Sequence, residues 1–192
     1  MIVIGVSGYA ASGKSEFAKY LKEKYGFKVF EFSEIIEEEA KRLKLLEENL
    51  SLEEKKRKLS ELGKKIREIY GREDIFALKI VEKIKSENFE KIVVSGFRNL
   101  VEVEVFKKEF GKNFYLIFIE ADAKIRYERR KIQDPNFNLT FEEFLQRDKR
   151  DEKELGLREL KEVANFVIEN NSSLEDFYKK IDLIINLFSN IS

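Results

Sequence analysis

The first fifteen residues constrain the fold of this chain more than any other segment. A short, largely apolar run covers residues 2–7, and it is followed directly by Gly8-Tyr9-Ala10-Ala11-Ser12-Gly13-Lys14-Ser15. The second run matches the pattern G-x-x-x-x-G-K-[ST] in full, and a helical pattern continues from about residue 14 to a stop at Gly26. A strand, a glycine-bearing turn and a helix in this order predict a phosphate-binding loop.

Each part of this loop predicts a contact with a triphosphate. The glycines permit backbone angles that direct successive N–H groups inward, and the start of the helix adds partial positive charge. We expect Lys14 to reach the β- and γ-phosphates and the Ser15 hydroxyl to ligate Mg²⁺. The alternative is a glycine turn that only starts a helix. The sequence thus predicts ATP and Mg²⁺, bound by Gly8, Ala11, Ser12, Gly13, Lys14 and Ser15.

The amino-acid composition excludes several kinds of catalytic and metal-binding site. The 192 residues contain no cysteine and no histidine, which excludes disulfides, thiolate metal sites and a histidine base. Lys plus Arg and Asp plus Glu number 37 each, so no net field favours nucleic acid or a membrane. The apolar run at residues 2–7 is too short for a membrane span or a signal peptide, and we expect a cytoplasmic protein.

The rest of the chain predicts an α/β fold in which short apolar runs alternate with helical patterns. Further strands are predicted at residues 28–32, 92–94, 115–119 and 165–169, with helices between them. This alternation implies a parallel sheet with ligands beyond the carboxyl ends of its strands. Ser33 is a candidate N-cap for a helix over 34–46. Capping boxes that start further helices are predicted at Ser51 with Glu54, Thr140 with Glu143, and Ser172 with Glu175.

Several motifs in a fixed order resemble the adenylate kinase-like P-loop proteins, which are related to dephospho-CoA kinases and deoxynucleoside monophosphate kinases. The motifs are the loop at 8–15 and the runs at 62–71, 95–104, 126–129, 148–151 and 164–171. The resemblance implies one domain over 1–192 with a three-layer P-loop NTPase fold and a five-stranded parallel sheet. It also implies a helical acceptor-binding insert at about 33–72 and an arginine-bearing lid at about 131–152.

Arginines are the expected ligands of the acceptor and of the transferred phosphate. Arg98 follows the third strand, so it can bind an acceptor phosphate, and Arg67 can do so from the insert. Arg126 lies one helical turn from both Arg129 and Arg130, so these like charges need a nearby anion or carboxylate. Pairing with Glu128 or Glu120 is the ordinary alternative. The resemblance implies ATP contacts for this helix, with Arg126 and Arg129 as catalytic candidates.

Polar residues after the strands complete the expected site, with two departures from the family pattern. The resemblance places the adenine of ATP near Asn170. Ser95 stands where the family usually has an Asp that helps to hold Mg²⁺. Glu34 stands where dephospho-CoA kinases have an Asp base, and Glu34 remains the candidate base here. Glu31 or Glu120 are further candidates to assist the metal.

The sequence leaves three functions open. The first is an ATP-dependent kinase that acts on a nucleoside monophosphate or a related phosphorylated nucleoside, in which an acceptor phosphate needs no strong base. The second is phosphorylation of a hydroxyl, as in dephospho-CoA kinases, which needs a base. The third is a nucleotide-gated ATPase with a macromolecular partner, which the missing acid at Ser95 favours.

Overall fold

The computed structural model describes residues 1–46 and 52–189, and a five-stranded parallel sheet lies at the centre of this part of the chain. The strands are β1 (Ile2–Gly8), β2 (Lys28–Glu31), β3 (Lys91–Ser95), β4 (Phe114–Glu120) and β5 (Phe166–Glu169). Their order across the sheet is β2-β3-β1-β4-β5, and all neighbours are parallel. The carboxyl end of β1 therefore lies between the ends of β3 and β4.

Helices connect the strands and cover both faces of the sheet. They are α1 (Lys14–Tyr25), α2 (Phe32–Arg42), α3 (Leu52–Tyr70), α4 (Ile75–Ser86), α5 (Leu100–Phe110), α6 (Ala123–Gln133), α7 (Phe141–Leu155), α8 (Leu157–Glu162) and α9 (Leu174–Ser189), and a 3₁₀ turn at Gly111–Asn113 precedes β4. None of these described helices is both long enough and apolar enough to cross a membrane.

The side chains of β1 alternate between two apolar clusters, one on each face of the sheet. Val3 packs with the cluster that α2 to α5 and α8 cover, and Ile4 and Val6 pack with α1 and α9. A Cβ at Gly5 would lie 2.8 Å from the Phe97 ring, so the glycine lets that ring approach the strand. The three-layer α/β fold with a five-stranded parallel sheet is thereby confirmed.

The local signals at helix ends are confirmed at some positions and wrong at others. The Thr140–Glu143 capping box forms as predicted, and Gly26 ends α1 in the left-handed region, with φ of 72°. The predicted cap at Ser172 is replaced by one at the next residue, because Ser173 Oγ accepts the N–H of Asp176 and α9 begins at Leu174.

The start of α2 also differs from the prediction. The helix begins at Phe32, with Glu31 rather than Ser33 at the N-cap, and it ends at Arg42. The helix α8 was not predicted at all. The predicted box of Ser51 with Glu54 lies outside the residues whose side chains the structure describes.

Candidate functional site

The turn between β1 and α1 adopts the backbone that the motif predicts. Gly8, Ala11 and Gly13 have φ values of 146°, 59° and 116°, all outside the region that L-residues prefer. A Cβ at Gly8 would lie 2.1 Å from the carbonyl oxygen of Ile119, so only glycine fits there. The closely packed neighbouring strand therefore contributes to the shape of the loop.

The first turn of α1 leaves its N–H groups without a side-chain cap. Gly13 is the N-cap, and the helical hydrogen bonds start with Phe17 N–H donating to Gly13 O. The N–H groups of Lys14, Ser15 and Glu16 therefore precede the first helical bond. The carboxylate of Glu16 accepts a hydrogen bond from the Tyr178 hydroxyl at 2.5 Å instead of capping the helix. An uncapped helix start of this kind binds anions.

The ammonium group of Lys14 lies over the loop. Its Nζ donates to the carbonyl oxygens of Gly8 at 2.7 Å and Tyr9 at 2.6 Å. Burial, and then the positive charges of Arg98 and Arg126, lower the pKa of Lys14 to about 7. A bound polyphosphate would supply the negative charge that this position lacks.

A cleft of about 300 Å³ opens beside the loop at the carboxyl ends of β1, β2 and β3. Its polar wall contains Lys14, Ser15, Glu31, Ser33 and Ser95. Three cationic side chains line it as well, Arg98, Arg130 and Arg147, and its apolar wall contains Phe32, Ile36, Leu59 and Phe144. A second cavity of about 300 Å³ lies between α2 and α4, away from the loop, among Glu38, Glu39, Lys79 and Lys83.

Arg98 and Arg67 occupy different environments although both were candidates for the acceptor. Arg98 lines the cleft, where burial lowers the pKa of its guanidinium, and its backbone N–H donates to Glu102 Oε2 at 2.8 Å. Arg67 donates from Nη2 to Glu102 Oε1 at 2.9 Å and from Nε to the carbonyl of Glu73 at 3.1 Å. Glu102 is 1% exposed, so Arg67 neutralises a buried carboxylate outside the cleft.

The three arginines of α6 have separate partners. Arg126 is 4% exposed and forms a buried ion pair with Asp148 of α7, which gives it the carboxylate that the like-charge spacing predicts. Arg130 pairs with Asp134, and Arg129 Nη2 donates to Asn170 Oδ1 at 3.3 Å. The predicted alternatives have other partners: Glu128 pairs with Lys131, and Glu120 pairs with Lys161.

The acidic candidates also divide between the cleft and its surroundings. Glu31 lines the cleft, and its register partner on β3 is Ser95, which is buried. Glu34 is not among the side chains that line the cleft, and its carboxylate accepts the backbone N–H of Glu31 as half of a helix cap. Burial, and then repulsion by Glu31, raise the pKa of Glu34.

A family model described as an AAA domain matches residues 4–150, which is most of the chain and includes the phosphate-binding loop. The chain belongs to the AAA_18 family.

Relatives of this AAA_18 chain include proteins of archaea. A UPF0200 protein of Saccharolobus islandicus is 35% identical over 184 residues, which cover 94% of this chain and 90% of the relative. A UPF0200/UPF0201 protein of Archaeoglobus fulgidus is 37% identical over 199 residues, which cover 100% of this chain and 57% of that relative. The chain thus spans little more than half the length of the A. fulgidus protein.

Solved structures with the same fold as this AAA_18 chain include small-molecule kinases. A shikimate kinase from Bacteroides thetaiotaomicron has a TM-score of 0.65 at 13% identity, covering 98% of both chains. A gluconokinase from Sinorhizobium meliloti has a TM-score of 0.60 at 16% identity, covering 98% of this chain and 97% of its own. At these identities the likeness concerns the fold, which is that of the P-loop kinases.

The residues of the AAA_18 loop fit a triphosphate with Mg²⁺. The uncapped helix start and the Lys14 ammonium suit phosphate oxygens, and the Ser15 hydroxyl suits a hard cation. Within residues 1–46 and 52–189, no cluster of three acidic side chains is spaced to hold a metal by itself. Mg²⁺ bound beside phosphates takes few protein ligands, so a single hydroxyl ligand from Ser15 is compatible with it.

Two contributors to the AAA_18 site were not predicted from the sequence. The hydroxyl of Tyr9 donates to Glu152 of α7 at 2.5 Å, which joins the loop to that helix. The apolar wall of the cleft, with Ile36 and Phe144, was also missed. Apolar positions on amphipathic helices indicate a core face, and their spacing carries no signal that separates a core from a ligand site.

Proposed function

We propose that this chain is an ATP-dependent phosphotransferase whose acceptor is a nucleoside monophosphate or a related phosphorylated nucleoside. One observation carries the proposal: the uncapped start of α1 opens into the same cleft as the side chains of Arg98, Arg130 and Arg147. A helix start suits one phosphate group, and guanidinium groups suit a second. Phosphotransferases are among the proteins that share this fold.

The donor side of the proposed reaction is the loop. Its N–H groups and the Lys14 ammonium would orient the β- and γ-phosphates and neutralise the charge that develops during transfer. The Ser15 hydroxyl would hold Mg²⁺, which would supply further charge neutralisation at the phosphates. Phosphoryl transfer depends mainly on positioning and charge, which these groups provide without a nucleophilic side chain.

The acceptor side is the part of the cleft that the ends of β2 and β3 and the helix α7 enclose. Arg98 approaches from the end of β3 and Arg147 approaches from α7, so an acceptor anion would lie between them. Phe32, Ile36 and Leu59 give the same space an apolar wall for a ring. We propose that α2 and α3 form the acceptor-binding insert and that α7 forms the lid.

A hydroxyl acceptor, as in dephospho-CoA kinases, is the second candidate, and one observation favours it. Glu31 places a carboxylate in the cleft beside Ser33, whose hydroxyl donates to it at 3.2 Å. A hydroxyl needs a proton acceptor during transfer, and Glu31 is better placed for this than Glu34.

The nucleotide-gated ATPase is the third candidate, and the buried Ser95 in place of an acid supports it.

A coupled assay of ADP formation distinguishes the three candidates. The protein is supplied with Mg·ATP and, one at a time, with nucleoside monophosphates and dephospho-CoA. Turnover that rises sharply with one monophosphate supports the proposal, and a rise with dephospho-CoA alone supports the hydroxyl acceptor. Slow hydrolysis that no acceptor changes supports the gated ATPase and contradicts the kinase.

The variant Lys14→Ala tests the binding step that all three candidates share. Removal of this side chain should abolish measurable Mg·ATP binding in calorimetry, because Lys14 is the only basic residue in the loop from Gly8 to Ser15. Lys64→Ala is a matched control, since Lys64 pairs with Glu154 on the surface and does not line the cleft. Unchanged binding by Lys14→Ala would contradict the assignment of the loop.

A further inference from the structure

Asn170 connects the end of β5 to the phosphate loop. Its backbone N–H donates to the carbonyl of Glu120 at 2.8 Å, and its side-chain Nδ2 donates to the carbonyl of Ser12 at 2.8 Å. Asn170 is 6% exposed, so the hydrogen bond to Ser12 is shielded from water. The amide also packs directly on Gly13, where a Cβ would lie 2.4 Å from Nδ2.

The other end of the same amide faces α6. Arg129 Nη2 donates to Asn170 Oδ1 at 3.3 Å, and burial lowers the pKa of this arginine. A carbonyl on one side and a guanidinium on the other admit only one orientation of the amide, with nitrogen toward Ser12. Both ends of the side chain are therefore engaged by protein groups, and little surface remains for a nucleotide base.

The hydrogen bond to Ser12 determines the direction of the next N–H group. A trans peptide is planar, and its C=O and N–H point in opposite directions. When Asn170 holds the Ser12 carbonyl on one side of the loop, the N–H of Gly13 must point to the other side. Gly13 itself has φ of 116° and no side chain, and the Ser12 carbonyl before it is held by Asn170, which lies outside the loop.

We propose that Asn170 is a positioning residue that holds the Ser12–Gly13 peptide with its N–H directed at the phosphates, and that it does not contact the base. The inference rests on the proposed nucleotide binding and assigns Asn170 a role in that site. Arg129 supports the amide from α6, so a displacement of this helix reaches the phosphate loop through Asn170.

Calorimetry with three ligands separates positioning of the loop from contact with the base. The ligands are tripolyphosphate, ATP and GTP, each with Mg²⁺, and the variant is Asn170→Asp. The carboxylate keeps an acceptor for Arg129 but cannot donate to Ser12 O. We expect the affinity for all three ligands to fall alike, by about tenfold, because one buried carbonyl loses its donor.

Asn171→Ala is the matched control, because Asn171 lies next in the same loop and its side-chain amide bonds to Asp122 instead of the phosphate loop. It should leave all three affinities unchanged.

Asn170→Ser removes the contact without adding charge, and thermal unfolding checks that both variants are folded. Unchanged tripolyphosphate binding by folded Asn170→Asp and Asn170→Ser overturns the inference, as does weaker binding of ATP alone. Failure of the unmodified protein to bind Mg·ATP would overturn the proposed function, and the inference with it.

Discussion

The guanidinium of Arg126 forms two parallel hydrogen bonds with the carboxylate of Asp148, Nη1 to Oδ1 at 3.0 Å and Nη2 to Oδ2 at 2.5 Å. The rings of Tyr9 and Phe144 lie 4.8 Å and 5.3 Å from the guanidinium carbon and shield the pair from water. Because Arg126 belongs to α6, Asp148 to α7 and Tyr9 to the loop, the pair joins three parts of the site. The pair is therefore one of the contacts that attach α7 to α6 beside the loop.

Removal of one member of this pair should destabilise the protein strongly. Asp148→Leu leaves a buried cation without its partner, and we expect the free energy of unfolding to fall by about 3 kcal/mol. The double variant Arg126→Met with Asp148→Leu removes both charges and should recover much of this loss. Denaturant unfolding followed by circular dichroism measures both.

The ion pair of Lys64 with Glu154 is the matched control, since it also links α7 to another helix but lies on the surface. Glu154→Ala should cost less than about 1 kcal/mol. Equal losses for Asp148→Leu and Glu154→Ala would show that the buried pair has no special role in stability.

Gly13→Ala should abolish nucleotide binding, and Gly26→Ala should not. Both glycines have positive φ, 116° and 72°, so either substitution strains the backbone by about 1–2 kcal/mol. Only the Gly13 Cβ meets a neighbour, Asn170 Nδ2, whereas a Cβ at Gly26 meets no atom within 4 Å. Calorimetry with Mg·ATP measures the loss of binding, and denaturant unfolding of the same variants measures the backbone strain. A Gly13→Ala variant that binds normally would contradict the crowding argument.

Binding of Mg·ATP should take up a proton near neutral pH. The pKa of Lys14 is lowered to about 7, so the side chain is largely neutral at pH 8 and largely charged at pH 6. A bound polyphosphate raises that pKa, because it favours the charged form. The uptake should therefore be small at pH 6 and approach one proton at pH 8. Calorimetry in buffers of different ionisation enthalpy measures it, and an uptake that decreases with rising pH would contradict the assignment.

Replacement of Glu31 should change the dependence on Mg²⁺, and replacement of Glu34 should not. Glu31 lines the cleft with Ser15, whereas Glu34 caps the first turn of α2 from outside the cleft. We expect Glu31→Gln to raise the Mg²⁺ concentration for half-maximal turnover on the order of tenfold, as removal of an outer ligand does. Glu34→Gln should keep the Mg²⁺ dependence and should not lower stability, because the amide oxygen can still accept the Glu31 N–H and the repulsion by Glu31 is removed. The reverse result would restore Glu34 as the acid of the site.

The parts of the fold that depend on local sequence were predictable. The order of strands and helices follows from apolar runs such as 115–119, and the loop follows from Gly8, Gly13 and Lys14 in their spacing. The Thr140–Glu143 box also needs only neighbours in sequence. The displaced start of α9 shows the limit of this reasoning, because Ser172 and Ser173 have equal intrinsic ability to cap a helix.

The partners of the charged residues were not predictable, because they come from distant segments. Arg126 meets Asp148 across 22 positions, and Arg67 meets Glu102 across 35 positions. No local motif distinguishes Glu102, which is buried, from Glu104, which lies two residues further along the same helix on the surface. A role assigned to an arginine from its position in the sequence therefore stays a prediction until the carboxylate that it pairs with is known.

The central place of β1 has a consequence for how proteins of this fold diversify. The ends of β4 and β5 hold Asn170 and the start of α6 on one flank of the loop, and the ends of β2 and β3 hold Glu31 and Arg98 on the other. In the proposed function the second flank binds the acceptor, so substitutions there would change acceptor preference while Asn170 still holds the loop from the first flank. An engineered change of acceptor would then need an exchange on one side of the sheet alone.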